Sequence, residues 1–163
     1  MLVVRSFPPV IDERCTRLVL GTAPGAVSLR EVRYYAHPRN AFWPIVYGLY
    51  GAVPEDDYGA RLAFAKSKGI ALWDVLRECR RDGSLDSKIR DPIANDIAGL
   101  LHRFPAVTAI YLNGAEAARL FRRLVLPVLP PGRAAVRPMP STSPAHTMPF
   151  EAKLAAWREL AER

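Results

Sequence analysis

Cysteine is nearly absent from this chain, and the shortage excludes two chemistries. Only Cys15 and Cys79 occur. They lie too far apart for a CxxC knuckle, and no further cysteine exists to complete a zinc or iron–sulfur site. No metal and no cofactor is expected. The opening stretch, Met1 to Glu13, has its apolar residues interrupted by Arg5, Pro8 and Pro9, unlike the unbroken core of a secretory signal. Both cysteines are therefore expected to be reduced thiols. No apolar run reaches the roughly 20 residues of a membrane span, and there is no internal repeat or low-complexity linker. Lysine is scarce as well: Lys66, Lys68, Lys88 and Lys153 stand against 19 arginines. None falls in the motifs described below, so a Schiff-base step, which needs a lysine amine, is not expected.

The composition is that of an ordinary globular chain, with 163 residues, 50% hydrophobic and 24% charged. This length fits a single domain spanning 1–163 with a core of useful size. The net charge is +7 and the isoelectric point about 9.8. An arginine-rich basic surface suits a polyanion, because guanidinium groups grip phosphates in bidentate fashion. A genome that favours arginine codons would give the same surplus, so charge alone does not decide for nucleic acid. A cytoplasmic, nucleoid-associated protein of prokaryotic type is expected.

Strands and helices alternate along the chain. Arg17–Gly21 is a short apolar run bounded by glycine and reads as a buried strand. Residues 40–50 read as a helix with Pro44 in its first turn, and 58–68 as a helix stopped at Gly69. Residues 70–75 are a strand or a turn. Asn95 or Asp96 caps a helix that runs to His102, which is expected to be a surface residue. The β-branched run 107–112 reads as a strand, Ala115–Leu124 as an alanine-rich helix, 134–139 as a last strand and 151–163 as an amphipathic helix. Strands separated by helices pair in parallel, which implies an α/β protein built as a three-layer α/β/α sandwich.

Three clusters could carry chemistry. Gly21, Thr22, Ala23, Pro24 and Gly25 follow the first parallel strand, where open α/β sheets bind ligands. Alone, this motif is weak and fits a tight strand-to-loop turn better than a ligand site. Tyr34, Tyr35, Ala36, His37, Pro38, Arg39 and Asn40 crowd aromatic, cationic and amide groups into a loop, ahead of Phe42 and Trp43 on the core face of the next helix. Aromatic faces stack on bases, arginine holds phosphate, and an amide oxygen can orient water. Pro140, Ser141, Thr142, Ser143, Pro144, Ala145, His146 and Thr147 form a stiff, hydroxyl-rich loop suited to phosphate oxygens.

These segments, together with Leu72–Ile89 (LWDVLRECRRDGSLDSKI), Ala94–Asp96 and Ile110–Phe121 (IYLNGAEAARLF), resemble the hypoxanthine-DNA glycosylases, the sixth family of the uracil-DNA glycosylase superfamily. The resemblance runs from about Leu18 to about Ala161. It implies a central, mainly parallel four-stranded sheet between helix layers and an enzyme that excises deaminated bases from DNA. It assigns the water-positioning role to Asn40 and the base-stacking role to Tyr35, and it makes 140–146 the loop that enters the minor groove. Relatives carry Asn or Asp within the turn after the first strand, where this chain has Thr22 and Ala23. His146 stands where the family pattern has Asn.

The expected reaction is hydrolysis of the N-glycosidic bond of a flipped base, hypoxanthine first and uracil or xanthine next, leaving an abasic site. Backbone groups of Gly21–Gly25 and the amide of Asn113 would meet the polar edge of the base. His37, Arg39 and Ser141–His146 would meet the DNA, double-stranded first and single-stranded next, with the enzyme a monomer. The alternatives are a glycosylase directed mainly at uracil or mismatched thymine, a nucleic-acid-binding module without catalysis, and a hydrolase of free nucleosides or nucleotides. Asn40 argues against a mere binding module, which has no use for an amide beside a stacking aromatic. The basic charge and the 140–146 loop argue against a nucleoside hydrolase.

Overall fold

A computed structural model describes residues 2–162, the side chain of Asp86 excepted. Seven strands and six α-helices are seen among them: β1 (Leu2–Arg5), β2 (Arg17–Gly21), α1 (Ala26–Glu31), α2 (Phe42–Gly48), α3 (Tyr58–Ser67), β3 (Ile70–Asp74), β4 (Leu76–Arg81), β5 (Arg90–Ala94), α4 (Ile97–Arg103), β6 (Ala109–Asn113), α5 (Ala115–Leu120), β7 (Ala135–Met139) and α6 (Phe150–Ala156). The central sheet has the order β3-β2-β6-β7 and every pair in it is parallel. This is the four-stranded α/β architecture the sequence implies.

Alternation along each strand builds the layers. On one face Leu18, Leu20, Ile110 and Leu112 pack with Ile97, Leu100 and Leu101 of α4 and with Ala117 and Leu120 of α5. On the other, Val19, Leu72 and Tyr111 pack with Phe42, Ile45 and Val46 of α2, Ala65 of α3 and Trp157 beyond α6. A side-chain period of two sends neighbouring residues to opposite faces. Strands covered on both faces become continuous apolar runs, which is why β2 and β6 lack a polar alternation. Arg17, at the start of β2, is buried because its guanidinium donates to the carbonyls of Leu160 and Lys68, at the end of the sheet away from Gly21.

Most element boundaries match the sequence reading within a few residues. Asp96 is the cap of α4, its carboxylate accepting from Gly99 N–H at 2.9 Å. Two helices are shorter than expected. After Leu120 the chain continues as a π turn over Phe121–Val125, and the terminal helix gives way to a 3-10 turn at Arg158–Ala161. Arg163, the expected last helical residue, lies outside the described residues. A second sheet was not anticipated: β1, β4 and β5 form an antiparallel three-stranded sheet in the order β1-β4-β5.

Parallel pairing gathers the carboxyl ends of the central strands at one edge. The register sets Gly21 beside Asp74 and Leu20 beside Leu112, and it pairs Asn113 with Met139. Among the described residues no helix is long and apolar enough to cross a membrane.

Candidate active site

A cleft of about 570 Å³ opens at that edge. It lies within the 300–1,000 Å³ typical of small-molecule pockets. Gly21–Gly25, Tyr35, His37, Asn40, Asn113 and the whole stretch Ser141–His146 line it. Three clusters separated in sequence therefore share one cavity. Of the expected site residues, only Arg39 is not on the lining; it is exposed on the turn that carries His37 and Asn40.

Each part of the wall has a local cause. Gly21 has no Cβ for a steric reason: one there would lie 2.7 Å from Asp74 Oδ1. The strand end must leave that space to the carboxylate. The carbonyls of Gly21 and Thr22 accept from Val75 and Leu76 N–H at 2.7 and 3.1 Å, so the turn is clamped to the chain leaving β3. Thr22 is buried, and its Oγ1 has no hydrogen-bond partner among the described residues. A buried hydroxyl left unmatched costs about 1–3 kcal/mol, a penalty that a polar ligand in the cleft would relieve.

Tyr35 sits at φ 56, in the left-handed region that a bulky side chain seldom adopts. Its ring stacks on Phe42 with centroids 3.9 Å apart and planes at 19°. Phe42 thus covers one ring face, while Tyr35 also lines the cleft. Burial and then the charge of Asp74 push its hydroxyl well above the usual tyrosine range, so it stays protonated. Tyr34 belongs to the frame: it is buried, its hydroxyl donates to Pro8 O at 2.9 Å, and its carbonyl accepts from Trp43 Nε1 at 3.1 Å.

Asn40 is held by both ends of its residue. Its backbone N–H donates to His37 O at 2.9 Å, and its Oδ1 accepts from Phe42 N–H at 2.9 Å, at the start of α2. The amide plane is thereby fixed, and a carbonyl oxygen with one acceptor site used retains a second.

Asn113 lines the cleft and also braces its wall. Its Oδ1 accepts from Thr142 N–H at 2.9 Å, and its Nδ2 donates to Thr142 Oγ1 at 3.0 Å and toward Tyr35 Oη at 3.4 Å. The amide is a strut between β6, the 141–146 loop and Tyr35. Thr142 is 1% exposed, and its hydroxyl oxygen accepts from Asn113 within this strut. Behind the same loop lies Lys153, buried, with Nζ donating to Ser143 O at 3.1 Å and its pKa lowered by burial. It is not on the cleft lining.

Asp74 is the carboxylate among the lining residues that the sequence did not single out. Asp74, the last residue of β3, is 4% exposed and contributes to the cleft wall beside Gly21 and Tyr35. Its backbone carbonyl accepts from Asn95 Nδ2 at 2.9 Å, which anchors the strand end. The signal available was a lone carboxylate ending the apolar run IALWD, at the carboxyl end of a parallel strand. The turn itself holds no carboxylate; the neighbouring strand supplies one.

The chain, with this parallel sheet and a cleft at its strand ends, matches a known family. The family model described as the uracil DNA glycosylase superfamily fits residues 8–161. The chain belongs to that superfamily. A protein of Methanosarcina barkeri named hypoxanthine DNA glycosylase is 32% identical over 160 residues, 98% of each chain. One of the same name from Methanosarcina acetivorans is 39% identical over 117 residues, 71% of this chain and 74% of its own. A solution NMR structure from Methanosarcina acetivorans, described as a candidate uracil DNA glycosylase, superimposes with a TM-score of 0.80 at 34% identity, covering 98% of this chain and 99% of that one.

Proposed function

We propose that this superfamily member is a monofunctional DNA glycosylase that hydrolyses the N-glycosidic bond of a flipped deaminated base, hypoxanthine foremost, and leaves an abasic site. The carrying observation is the cleft itself. A protonated tyrosine, an amide of fixed orientation and a buried carboxylate share a cavity large enough for a purine. The name borne by both curated relatives supports the choice of hypoxanthine. The chain acts as one domain and as a monomer, in the cytoplasm, on double-stranded DNA.

A base inside a duplex is unreachable, so the nucleotide must be flipped, at a cost of a few kcal/mol. Tyr35 offers the ring face that Phe42 leaves open. Deamination turns a ring nitrogen of adenine or cytosine from an acceptor into an N–H donor. A carboxylate only accepts hydrogen bonds, so Asp74 suits that N–H. Thr22 Oγ1 and the N–H groups of Thr22, Ala23 and Gly25 face the remaining polar edge; Pro24 has no N–H to give. These donors stabilise the negative charge on the departing base. As the bond to C1′ breaks, the sugar gains oxocarbenium character, and Asn40 holds a water against it. A neutral amide is a poor base, so its contribution is positioning and dipole stabilisation.

Tyr35→Ala should weaken the flipped state by about 1–3 kcal/mol, the range for a base–aromatic contact, read as a slower single-turnover release of base. Tyr35→Phe should be mild, because the hydroxyl's hydrogen bond among the described residues is the long 3.4 Å contact with Asn113. A Phe variant as impaired as Ala would assign the work to the hydroxyl.

The reading is tested by incubating the protein with a duplex containing one deoxyinosine and then with alkali. Scission at the inosine supports it. Binding without alkali-labile product would indicate a nucleic-acid-binding module, and release only from free nucleosides would indicate a nucleoside hydrolase.

A further inference from the structure

The antiparallel sheet that the sequence did not announce ends in a hairpin at the mouth of the cleft. The tip between β4 and β5 brings Ser84 and Leu85 onto the cleft lining. Leu85 is 54% exposed, and among the exposed large apolar side chains described it alone lines the cleft. A single exposed leucine is ordinary on any surface. This one sits on a tip that is held in place.

The tip is fastened to the turn after β2. Arg81 is 1% exposed; its Nε donates to Gly83 O at 2.7 Å and its Nη2 to Pro24 O. Ser84 Oγ accepts from Ala26 N–H at 2.7 Å. Behind the tip, β4 pairs on both sides, with β1 and β5. A buried arginine spent on two backbone carbonyls fixes where the tip stands relative to the base-binding turn.

The topology sets the hairpin against the 141–146 loop. The hairpin continues from β3 and the loop leaves β7, and these strands are the two opposite edges of the central sheet. The loop brings Pro144, Ala145 and His146 to the cleft but no large aliphatic side chain. Proteins that open a base step from one side commonly insert an aliphatic wedge such as leucine between bases.

We propose that the β4–β5 hairpin is a second arm of the DNA grip, and that Leu85 enters the base stack beside the flipped nucleotide, across the cleft from the 141–146 loop. The proposal rests on the glycosylase reading above and adds a surface to it. The duplex lies across both arms, and Leu85 fills part of the gap that the flipped base leaves.

The test compares the parent, Leu85→Ala and Leu85→Met in single-turnover release of hypoxanthine. The substrates are an inosine–cytosine duplex and the same inosine strand unpaired. A duplex must be opened and held open; a single strand needs neither. Leu85→Ala should slow the duplex reaction about tenfold more than the single-strand reaction, and Leu85→Met should restore most of the difference. A 2-aminopurine next to the inosine should brighten on binding the parent and the Met variant, and far less with Ala. Equal losses on the two substrates, or no loss on the duplex, would overturn the arm. A parent that releases no base from either substrate would overturn the glycosylase reading itself, a failure visible before any variant is made.

Discussion

Asn40→Ala should slow single-turnover base release by on the order of 10²-fold or more, the scale seen when an electrostatic or positioning group is lost. DNA affinity should stay close to that of the parent. The amide is oriented by Phe42 N–H at 2.9 Å and by its own backbone bond to His37, so it is set before substrate arrives. The same variant removes a helix-start acceptor, which costs about 1 kcal/mol of stability. A thermal melt separates that loss from the kinetic one. Asn40→Asp keeps the acceptor toward Phe42 and should retain more activity than Ala. Equal rates for Asn40→Ala and parent would remove Asn40 from the reaction.

Asp74→Ala should cost a similar factor, about 10²-fold, on deoxyinosine. Sites built to bond a substrate N–H discriminate strongly against analogues that lack it. The decisive comparison uses 1-deazahypoxanthine, in which a C–H replaces the N1–H. The parent should excise it far more slowly than hypoxanthine, and Asp74→Ala should treat the two alike. Asp74→Asn, which keeps one acceptor oxygen, should lie between. If the parent makes no distinction between the two bases, Asp74 does not read the ring N–H. Its place against Gly21 would then be a matter of packing, because a Cβ at Gly21 would meet its carboxylate at 2.7 Å.

The contrast between Asn40 and Asp74 shows what a sequence can carry. Asn40 sits in a local cluster with Tyr35 and His37, and residues close in the chain can be read together. Parallel strands with helical crossovers are also local in pattern, so β2, β6 and β7 were legible from short apolar runs. Asp74 becomes a site residue only when β3 pairs beside β2, a contact across more than fifty residues of chain. The strut role of Asn113 was hidden for the same reason, since its partner Thr142 arrives on the loop that follows β7. The β1-β4-β5 sheet escaped because β4 and β5 are rich in charged residues and carry a proline, Pro92, within β5. Partly exposed antiparallel strands with bulges leave a weak alternation, and β4 against β5 has two register shifts. None of the four lysines falls in the sequence motifs. Folding brings Lys153 behind the 141–146 loop, where its Nζ holds Ser143 O and stays off the cleft wall.

The most direct measurement runs the reaction on a deoxyinosine duplex in ¹⁸O water and analyses both products by mass spectrometry. Hydrolysis by a water held at Asn40 should release free hypoxanthine in equal amount to an abasic strand that stays intact until alkali is added. ¹⁸O should appear at C1′ of its sugar once exchange is stopped by immediate borohydride reduction. Borohydride present during turnover should trap no protein on the DNA. A strand cut without alkali, or a covalent protein–DNA adduct under borohydride, would contradict the account and point to an amine nucleophile instead of water.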